Sequence, residues 1–523
     1  LKEAPNQNTT RFPPALVLDL GTVAYSPALE LQRGLQQLRI AGKIPDCLVL
    51  LEHPPTLTLG RAGCMNDILV SPDWLEREGF GVYHVERGGG VTYHGPGQLV
   101  GYPILDLNNY QRDVHLLVHK LEEVIIRVLD AFGIAGRRKD GLPGVWVGNA
   151  KIASIGIAVQ KWVTMHGFAL NVHTNPEHFQ IIHPCGMRGV AMVSLRQLLE
   201  RPVGMQDVKN RVVEEMAAVF GWRQVLPGHP AVQQLLGATG REAGQWRPGW
   251  LTVPSPTSES LEQLTRLLKP GNLQTVCREA RCPNVAECWG MGTATFMILG
   301  NICTRNCRFC AVQKGKPGAP DPAEPRALAE TVKAMGLRNV VITSVTRDDL
   351  PDGGASHFAA VISAVRELNP TATVEVLVPD FKGLENALAA VVAARPEVLG
   401  HNLETVPRLY GQVRPRADYH RSLWLLKKAK SLSPQMIIKS GIMVGLGEEP
   451  DEVLAVLDDL RMAGCEHVTI GQYLSPTPGH LPVQGFVTPF MFDWYREQCL
   501  SKGFKRADCG ALVRSSYHAG PVN

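Results

Sequence analysis

The chain has 523 residues, 45% of them hydrophobic and 20% charged, with a formal net charge of +4. At roughly 150 residues per domain this predicts two to four globular domains rather than one core. So small a charge gives no case for nucleic-acid binding, although a mildly basic surface suits an acidic protein partner, and the longest apolar runs (DCLVLL, AAVVAA) fall short of a membrane span.

The sequence opens at Leu1 rather than Met, which leaves room for an upstream segment. Its first residues, LKEAPNQNTTRF, lack the apolar stretch of a signal peptide, so a cytoplasmic location is expected. Val114, Leu117, Leu121, Val124, Ile125, Val128 and Leu129 follow helical spacing, with Gly133 as the stop. GVWV and AKIASIGIAV flank the turn dipeptide Gly148–Asn149 and predict a β-hairpin, with Ile155, Ile157 and Val159 alternating. HGFALNV predicts another strand, with His166, Phe168, Leu170 and Val172 on one face. A helical pattern at Val208, Val212, Met216, Val219 and Phe220 completes an α+β domain with an antiparallel-rich sheet over 1–225. The Pro/Gly-dense stretch 226–249 is the expected linker. Over 250–523, TATFMIL, VVITS, TVEVLVP, EVLGHNLE, MIIKSGIMVGL and HVTIGQYL each precede a helical segment. These βα units predict an incomplete parallel barrel, an α/β partial TIM barrel with its chemistry beyond the C-terminal ends of the strands.

Twelve cysteines are present, and six fall into two triads: Cys277, Cys282 and Cys288, then Cys303, Cys307 and Cys310. An iron–sulfur cube takes four thiolates, so three leave one iron open to another ligand. A zinc site is the first alternative, but zinc sites are built from CxxC or Cys/His pairs with four ligands. Disulfides are the second, and they need an oxidising compartment. Cys47, Cys64, Cys465, Cys499 and Cys509 show no partner pattern and are expected as buried free thiols.

The second triad, CxxxCxxC with an aromatic before its last cysteine, resembles the radical S-adenosylmethionine (SAM) superfamily. Taken with the rarer CxxxxCxxxxxC, GTATFMILGNICTRNCRFC, VITSVTRDDLPDGG, HNLETV and RSSYHA, the second half resembles lipoyl synthase from about Trp246 to Gly520. The resemblance implies two 4Fe–4S clusters. One, on Cys303, Cys307 and Cys310, binds SAM and, with an electron from a low-potential donor, releases a deoxyadenosyl radical. The other, an auxiliary cluster on Cys277, Cys282 and Cys288 with Ser516 as fourth ligand, gives up its sulfides. Replacing two unactivated C–H bonds of an octanoyl chain, at C6 and C8, by C–S bonds is beyond acid/base groups and needs such a radical. A serine oxygen is harder than a thiolate and more easily displaced, which suits a cluster that must come apart. Asn402 and Glu404 are expected to hold SAM, with Thr343, Ser344 and Arg416 as further candidates. Asp348, Asp349 and Asp352 stay unassigned, a solvated acidic loop being the alternative. SPTPGHLPV after QYL departs from the basic-containing loop more usual in that family.

In the first half, RGGGVTYHGPGQLVGYPI, AKIASIG, HGFALNV and HPCG resemble octanoyl-[acyl-carrier-protein]–protein octanoyltransferase over about Leu16 to Trp222, which implies a biotin/lipoate ligase-like fold. By that resemblance Cys185 takes the octanoyl group as a thioester and Lys151 is its acid/base partner. The chemistry fits. A free thiol, with a pKa near ~8.5, needs an adjacent base, and a partly dehydrated lysine has the lowered basicity to relay the proton. Arg87, Gly88, Gly89, His94, Gly95, His166 and Gly167 are the expected acyl pocket, glycines allowing close backbone approach. The nearest rival is a lipoate or biotin ligase, which spends ATP and needs no nucleophilic cysteine. A different class, an iron–sulfur electron carrier fused to an inactive acyl-binding module, is the other alternative. The expected protein is bifunctional. Its partners are octanoyl-acyl carrier protein, the lipoyl domains of 2-oxoacid dehydrogenases and the glycine cleavage H protein, with no nucleic acid and no membrane.

Overall fold

The computed structural model describes residues 12–183, 190–199, 201–238, 248–252, 273–275, 284, 292–517 and 519. The chain divides into two compact units, Leu1–Trp250 with Thr488–Met491, and Leu251–Val487 with Phe492–Asn523.

The first unit runs β1 (Ala15–Thr22), α1 (Tyr25–Ile40), β2 (Asp46–Glu52), β3 (Thr56–Leu59), α2 (Pro72–Arg77), β4 (Gly81–His84), β5 (Val91–His94) and β6 (Gln98–Ile104). It continues with α3 (Val114–Ala131), β7 (Val145–Val147), β8 (Ala150–Gln160), β9 (Val163–Asn171), α4 (Leu195–Leu198), α5 (Met205–Phe220), β10 (Gln224–Leu226) and α6 (Pro230–Ala238). The main sheet has the order β10-β1-β2-β6-β9-β8-β7, parallel from β10 to β2 and antiparallel from β2 to β7. A small sheet, β4-β3-β5, stands beside it.

Period-two alternation puts the two faces of the main sheet into different cores. On β2, Leu48 and Leu50 pack with Leu121, Val124 and Val128 of α3, and with Val212 and Met216 of α5. Cys47, Val49 and Leu51 pack instead with Leu31 and Leu35 of α1 and Val232 and Leu236 of α6. Helix α3 starts where Asp113 accepts from the N–H groups of His115 and Leu116, and its predicted stop, Gly133, has φ of +80°. Val114, read as part of its apolar face, is exposed.

Three expectations change. The first half of the stretch read as linker is α6, since Val232 and Leu236 at i,i+4 reach the core. Strand β9 shows no buried/exposed alternation, because both its faces are covered: Phe168 and Leu170 join the α3/α5 core, Met165 and Ala169 the α1/α6 core. Cys64 is exposed, unlike the buried Cys47, Cys465, Cys499 and Cys509.

The second unit contains β11 (Gln274–Thr275), β12 (Thr293–Ile298), a two-stranded ribbon of β13 (Ile302–Cys303) and β14 (Gln313–Lys314), then β15 (Asn339–Ser344), β16 (Thr373–Leu377), β17 (Val398–Gly400), β18 (Ile437–Val444), β19 (His467–Gln472) and a last strand, Arg506–Gly510. Apart from the ribbon, these strands pair in chain order, antiparallel at β11–β12 and parallel thereafter. Helices Glu324–Met335, Ala355–Leu368, Glu385–Ala393, Tyr419–Leu432, Pro450–Met462 and Pro489–Ser501 lie between successive parallel strands. Among the described residues no pairing joins the two ends of the sheet, so it is an open barrel. The predicted strands are β12, β15, β16, β17, β18 and β19. Strands β11 and Arg506–Gly510 extend them.

Candidate functional site

In the first unit, β8 and β9 pair Gly156 with Gly167. A Cβ at Gly167 would stand 2.0 Å from Gly101 O, so only glycine lets β9 lie this close to β6 there, while one at Gly156 would stand 3.0 Å from Arg87 Cδ and 3.2 Å from Gly88 O, tight against the 87–89 loop. The resulting pocket is walled by Arg87, Gly88, Gly89, His94, His166 and Gly167, all predicted, together with Tyr25, Thr92, Tyr102, Ser154, Ile155 and Gly156, which were not. Gly95 does not line it. A Cβ there would fall 1.7 Å from the Tyr93 hydroxyl, which pairs with His178 Nδ1 at 2.7 Å.

Arg87 is held by the protein itself. Its Nη2 donates to Thr58 O and Oγ1, both at 2.8 Å, and its Nη1 to Gly88 O at 3.0 Å, which sews the glycine loop to β3. His53 Nδ1 stands 2.5 Å from the Val23 carbonyl and must donate to it, so its Nε2 accepts from the Tyr102 hydroxyl at 2.7 Å. The backbone N–H of His166, a residue at φ of +61°, donates to Gln32 Oε1 on α1 at 2.9 Å. Burial lowers the His166 pKa to about 4 against the upward pull of Glu86, 3.7 Å away.

Lys151 lies on β8, 2% exposed, with Nζ 5.6 Å from the centre of the Trp146 ring. Gly144 makes room for it: a Cβ there would be 2.5 Å from Lys151 Cε, at a φ of +122°. Cys185 lies outside the described residues, but its downstream neighbours run beside Lys151. The Lys151 N–H donates to Ala191 O at 2.8 Å, and the Val193 N–H donates to Lys151 O at 3.0 Å.

In the second unit the triad loop follows β12 at the C-terminal edge of the barrel. Cys303, Cys307 and Cys310 are half-buried, and their thiols are near enough to interact electrostatically. Burial pushes Cys310 up to about 11. Among the described residues no three His, Cys, Asp or Glu side chains are gathered for a single metal ion. A 4Fe–4S cube binds each thiolate through a different iron, so its ligands stand further apart than the donors of one ion. This donor set fits such a cube.

The loop is clamped in place. Arg305, between the first two cysteines, donates Nε and Nη2 to Asp348 at 2.8 and 2.9 Å, and Nη1 and Nη2 to Asp380 at 3.0 and 2.6 Å. Asp348 is therefore tied into the fold by Arg305, whereas Asp349 is exposed and pairs at 2.8 Å with Arg347, itself 2% exposed. Thr304 N–H and Oγ1 both donate to Thr346 O. Arg416 Nη1 donates to Thr304 O at 3.0 Å, so this expected SAM ligand anchors the loop. His480, in the divergent SPTPGHLPV segment, has Nε2 3.1 Å from Cys310 O.

Around the mouth, Asn402 Nδ2 donates to Glu404 Oε1 at 3.1 Å, and Glu404 adopts φ of +68°. Its backbone is fixed between Gly441 O and Met443 N, and Arg414 Nη1 binds the carbonyls of Asn402 and Leu403. A strained non-glycine residue so firmly held points to a functional demand on its side chain. Burial raises the Glu404 carboxyl above its ordinary range, with Arg414 opposing. Thr343 Oγ1 donates to Leu377 O at 3.0 Å, whereas Ser344 Oγ is buried with no partner among the described residues.

The first triad, Cys277, Cys282 and Cys288, also lies outside the described residues. Asn284, from the same segment, donates Nδ2 to Leu512 O at 2.6 Å, four residues before Ser516. Ser516 sits in the turn where Ala519 N–H donates to its carbonyl at 3.3 Å.

Comparison with known proteins shows a two-part enzyme. The lipoyl protein ligase A/B catalytic domain matches residues 24–217, and the radical SAM superfamily matches residues 297–460. The chain is 55% identical over 273 residues to the lipoyl synthase of Caldicellulosiruptor saccharolyticus, covering 52% of this chain and 96% of that protein. It is 59% identical over 274 residues to that of Acidithiobacillus ferrooxidans, covering 52% and 86%. The chain belongs to the lipoyl synthase family through its C-terminal half, and joins to it a lipoyl ligase A/B catalytic domain. SAM and 4Fe–4S clusters are the cofactors this membership implies. A solved bipartite lipoate protein ligase and its E2 lipoyl domain from Thermoplasma acidophilum is a distant match: 16% identity, TM-score 0.36, 43% of this chain and 91% of that one. Among the described residues no helix is long and apolar enough to cross a membrane.

Proposed function

We propose that this chain carries out two consecutive steps of lipoate biosynthesis on a carrier-domain lysine. The first unit moves octanoyl from octanoyl-acyl carrier protein to Cys185 and then to the lysine, with Lys151 as proton relay. The second unit inserts sulfur at C6 and C8 of the attached chain. The observation that carries this reading is the joining, in one chain, of a lipoyl ligase A/B catalytic domain and a nearly full-length lipoyl synthase match.

The site geometry supports the parts. Lys151 is buried, and its backbone pairs with Ala191 and Val193, which follow the HPCG motif in the chain. Thioester exchange onto the cysteine is nearly balanced, and amide formation with the lysine drives the sequence. In the second unit Cys303, Cys307 and Cys310 would hold the SAM-binding cluster, with Asn402, Glu404, Thr343 and Ser344 as SAM-facing groups. Cys277, Cys282, Cys288 and Ser516 would hold the auxiliary cluster. Bound there, the two cofactors supply a deoxyadenosyl radical and sulfide. The protein's part is to hold the triad loop rigid through Arg305 and to face the mouth with polar groups. Partners on this reading are the lipoyl domains of 2-oxoacid dehydrogenases, the glycine cleavage H protein and a low-potential electron donor, in the cytoplasm.

The rival for the first unit is an ATP-using ligase. Supplying octanoyl-acyl carrier protein without ATP, or octanoate with ATP, separates the two. Transfer from the first mixture, abolished by Cys185→Ser, is expected. Transfer only from the second would overturn the thioester route.

A further inference from the structure

Three polar side chains of the first unit form a chain whose hydrogen-bonding sense is fixed at both amides by backbone carbonyls, which can only accept. Asn171 Nδ2 donates to Val193 O at 3.1 Å, so Asn171 Oδ1 faces Gln98. Gln98 Nε2 donates to that oxygen at 3.0 Å and to Tyr93 O at 3.2 Å. What Gln98 turns toward His94 is therefore Oε1, 2.9 Å from Nδ1. An amide oxygen accepts, so His94 Nδ1 carries the hydrogen. A neutral imidazole has one N–H, which leaves Nε2 as a bare lone pair.

All three side chains are nearly fully buried, and His94 is part of the pocket wall. Its Nε2 has no hydrogen-bond partner among the described residues. The charged and titratable groups around the ring are Tyr25, His53, Arg87, Tyr102 and His166, from α1, the β2–β3 turn, the glycine loop, β6 and β9. Burial, assisted by His53 and Arg87, holds His94 well below its ordinary pKa, so the ring is neutral at physiological pH.

A lone pair turned into an acyl pocket is satisfied by a ligand N–H or O–H. An octanoyl chain and its thioester carbonyl have neither. Resting on the acyl-transfer reading above, we propose that His94 Nε2 accepts a hydrogen bond from the incoming carrier-domain lysine amine and orients it for attack on the octanoyl thioester. With one N–H on His94, the amine lone pair is free to face the acyl carbon. The new C–N bond forms as the C–S bond to Cys185 breaks. One proton of the original ammonium goes to solvent before attack, and the second passes through Lys151 to the departing sulfur. His94 ends unchanged. Asn171 and Gln98 are the positioning residues that fix its tautomer.

The test follows single turnovers of the full-length protein with octanoyl-acyl carrier protein, then an apo lipoyl domain, reading octanoyl-enzyme by intact mass. His94→Ala is expected to slow release of octanoyl to the lipoyl domain by ~10–100-fold, the worth of a hydrogen bond to a reacting group, and to slow its loading much less. Loading and release that fall equally would overturn the proposal. Gln98→Glu is the second variant. Its carboxylate still accepts from Nδ1 but favours the imidazolium, which has no lone pair on Nε2. The acid limb of the release step should therefore move to higher pH, the rate being lost as pH falls through the raised pKa. An unmoved limb overturns the role of His94 alone. Wild-type protein that never carries octanoyl overturns the acyl-transfer reading, and this inference with it.

Discussion

Arg305 shows how one side chain governs a cofactor loop. It lies two residues after Cys303 and two before Cys307, is 5% exposed, and makes four charged hydrogen bonds to two carboxylates. Burial alone would raise the Asp380 carboxyl, and the hydrogen bonds and charge of Arg305 reverse that, leaving it below its ordinary range. The clamp therefore holds at neutral pH and weakens only as acidification protonates Asp380 below the usual aspartate range. Lysine keeps the charge but not the planar fork, so it satisfies one carboxylate at most. Arg305→Lys should lower iron retained at this loop and cut deoxyadenosine formation by ~10-fold or more, breaking a buried pair being costly. Octanoyl transfer by the same variant should be unchanged. Full iron content and SAM cleavage in the variant would show that the clamp is dispensable.

At the scale of elements, the two cysteine loops should be separable. Replacing Cys303, Cys307 and Cys310 by Ala should remove about four irons and all SAM cleavage. Replacing Cys277, Cys282 and Cys288 should remove a similar amount while deoxyadenosine still forms. SAM cleavage lost only in the second variant would reverse the assignment. The parallel strands of the barrel were legible because buried runs such as VVITS and TVEVLVP stand out against amphipathic helices. The last strand was not, because RADCG is short, polar and only half-buried, and its pairing with β19 is a tertiary fact. Helix α6 was hidden by the proline and glycines that flank it, though Val232 and Leu236 have helical spacing. In the first site, His94 and His166 were legible from their glycine-rich motifs. Tyr25, Tyr102, Gln98 and Asn171 were not singled out, because α1, β6 and β9 bring them together only on folding. Asp380 escaped notice for the same reason. Nothing local to VLVPDF marks it as the partner of an arginine 75 residues earlier.

For the whole molecule, the intermediate of the proposed reaction is a chain attached to a separate carrier domain, so no tunnel between the units is needed. The carrier has to leave the first site and dock at the second. Holding both sites on one chain raises the local concentration of the second, up to the millimolar range for a short connection, if the carrier rebinds before it diffuses away. The central claim is that one chain converts octanoyl-acyl carrier protein into a lipoylated carrier. It is tested most directly by intact mass of an apo lipoyl domain after anaerobic incubation with the iron-reconstituted protein, octanoyl-acyl carrier protein, SAM and a low-potential reductant, without ATP. The predicted result is octanoylated domain that becomes lipoylated, with Cys185→Ser blocking both products unless the domain is supplied already octanoylated. Octanoylated domain that never gains sulfur, or lipoylated domain that still forms from octanoyl-acyl carrier protein with Cys185→Ser, would contradict the account.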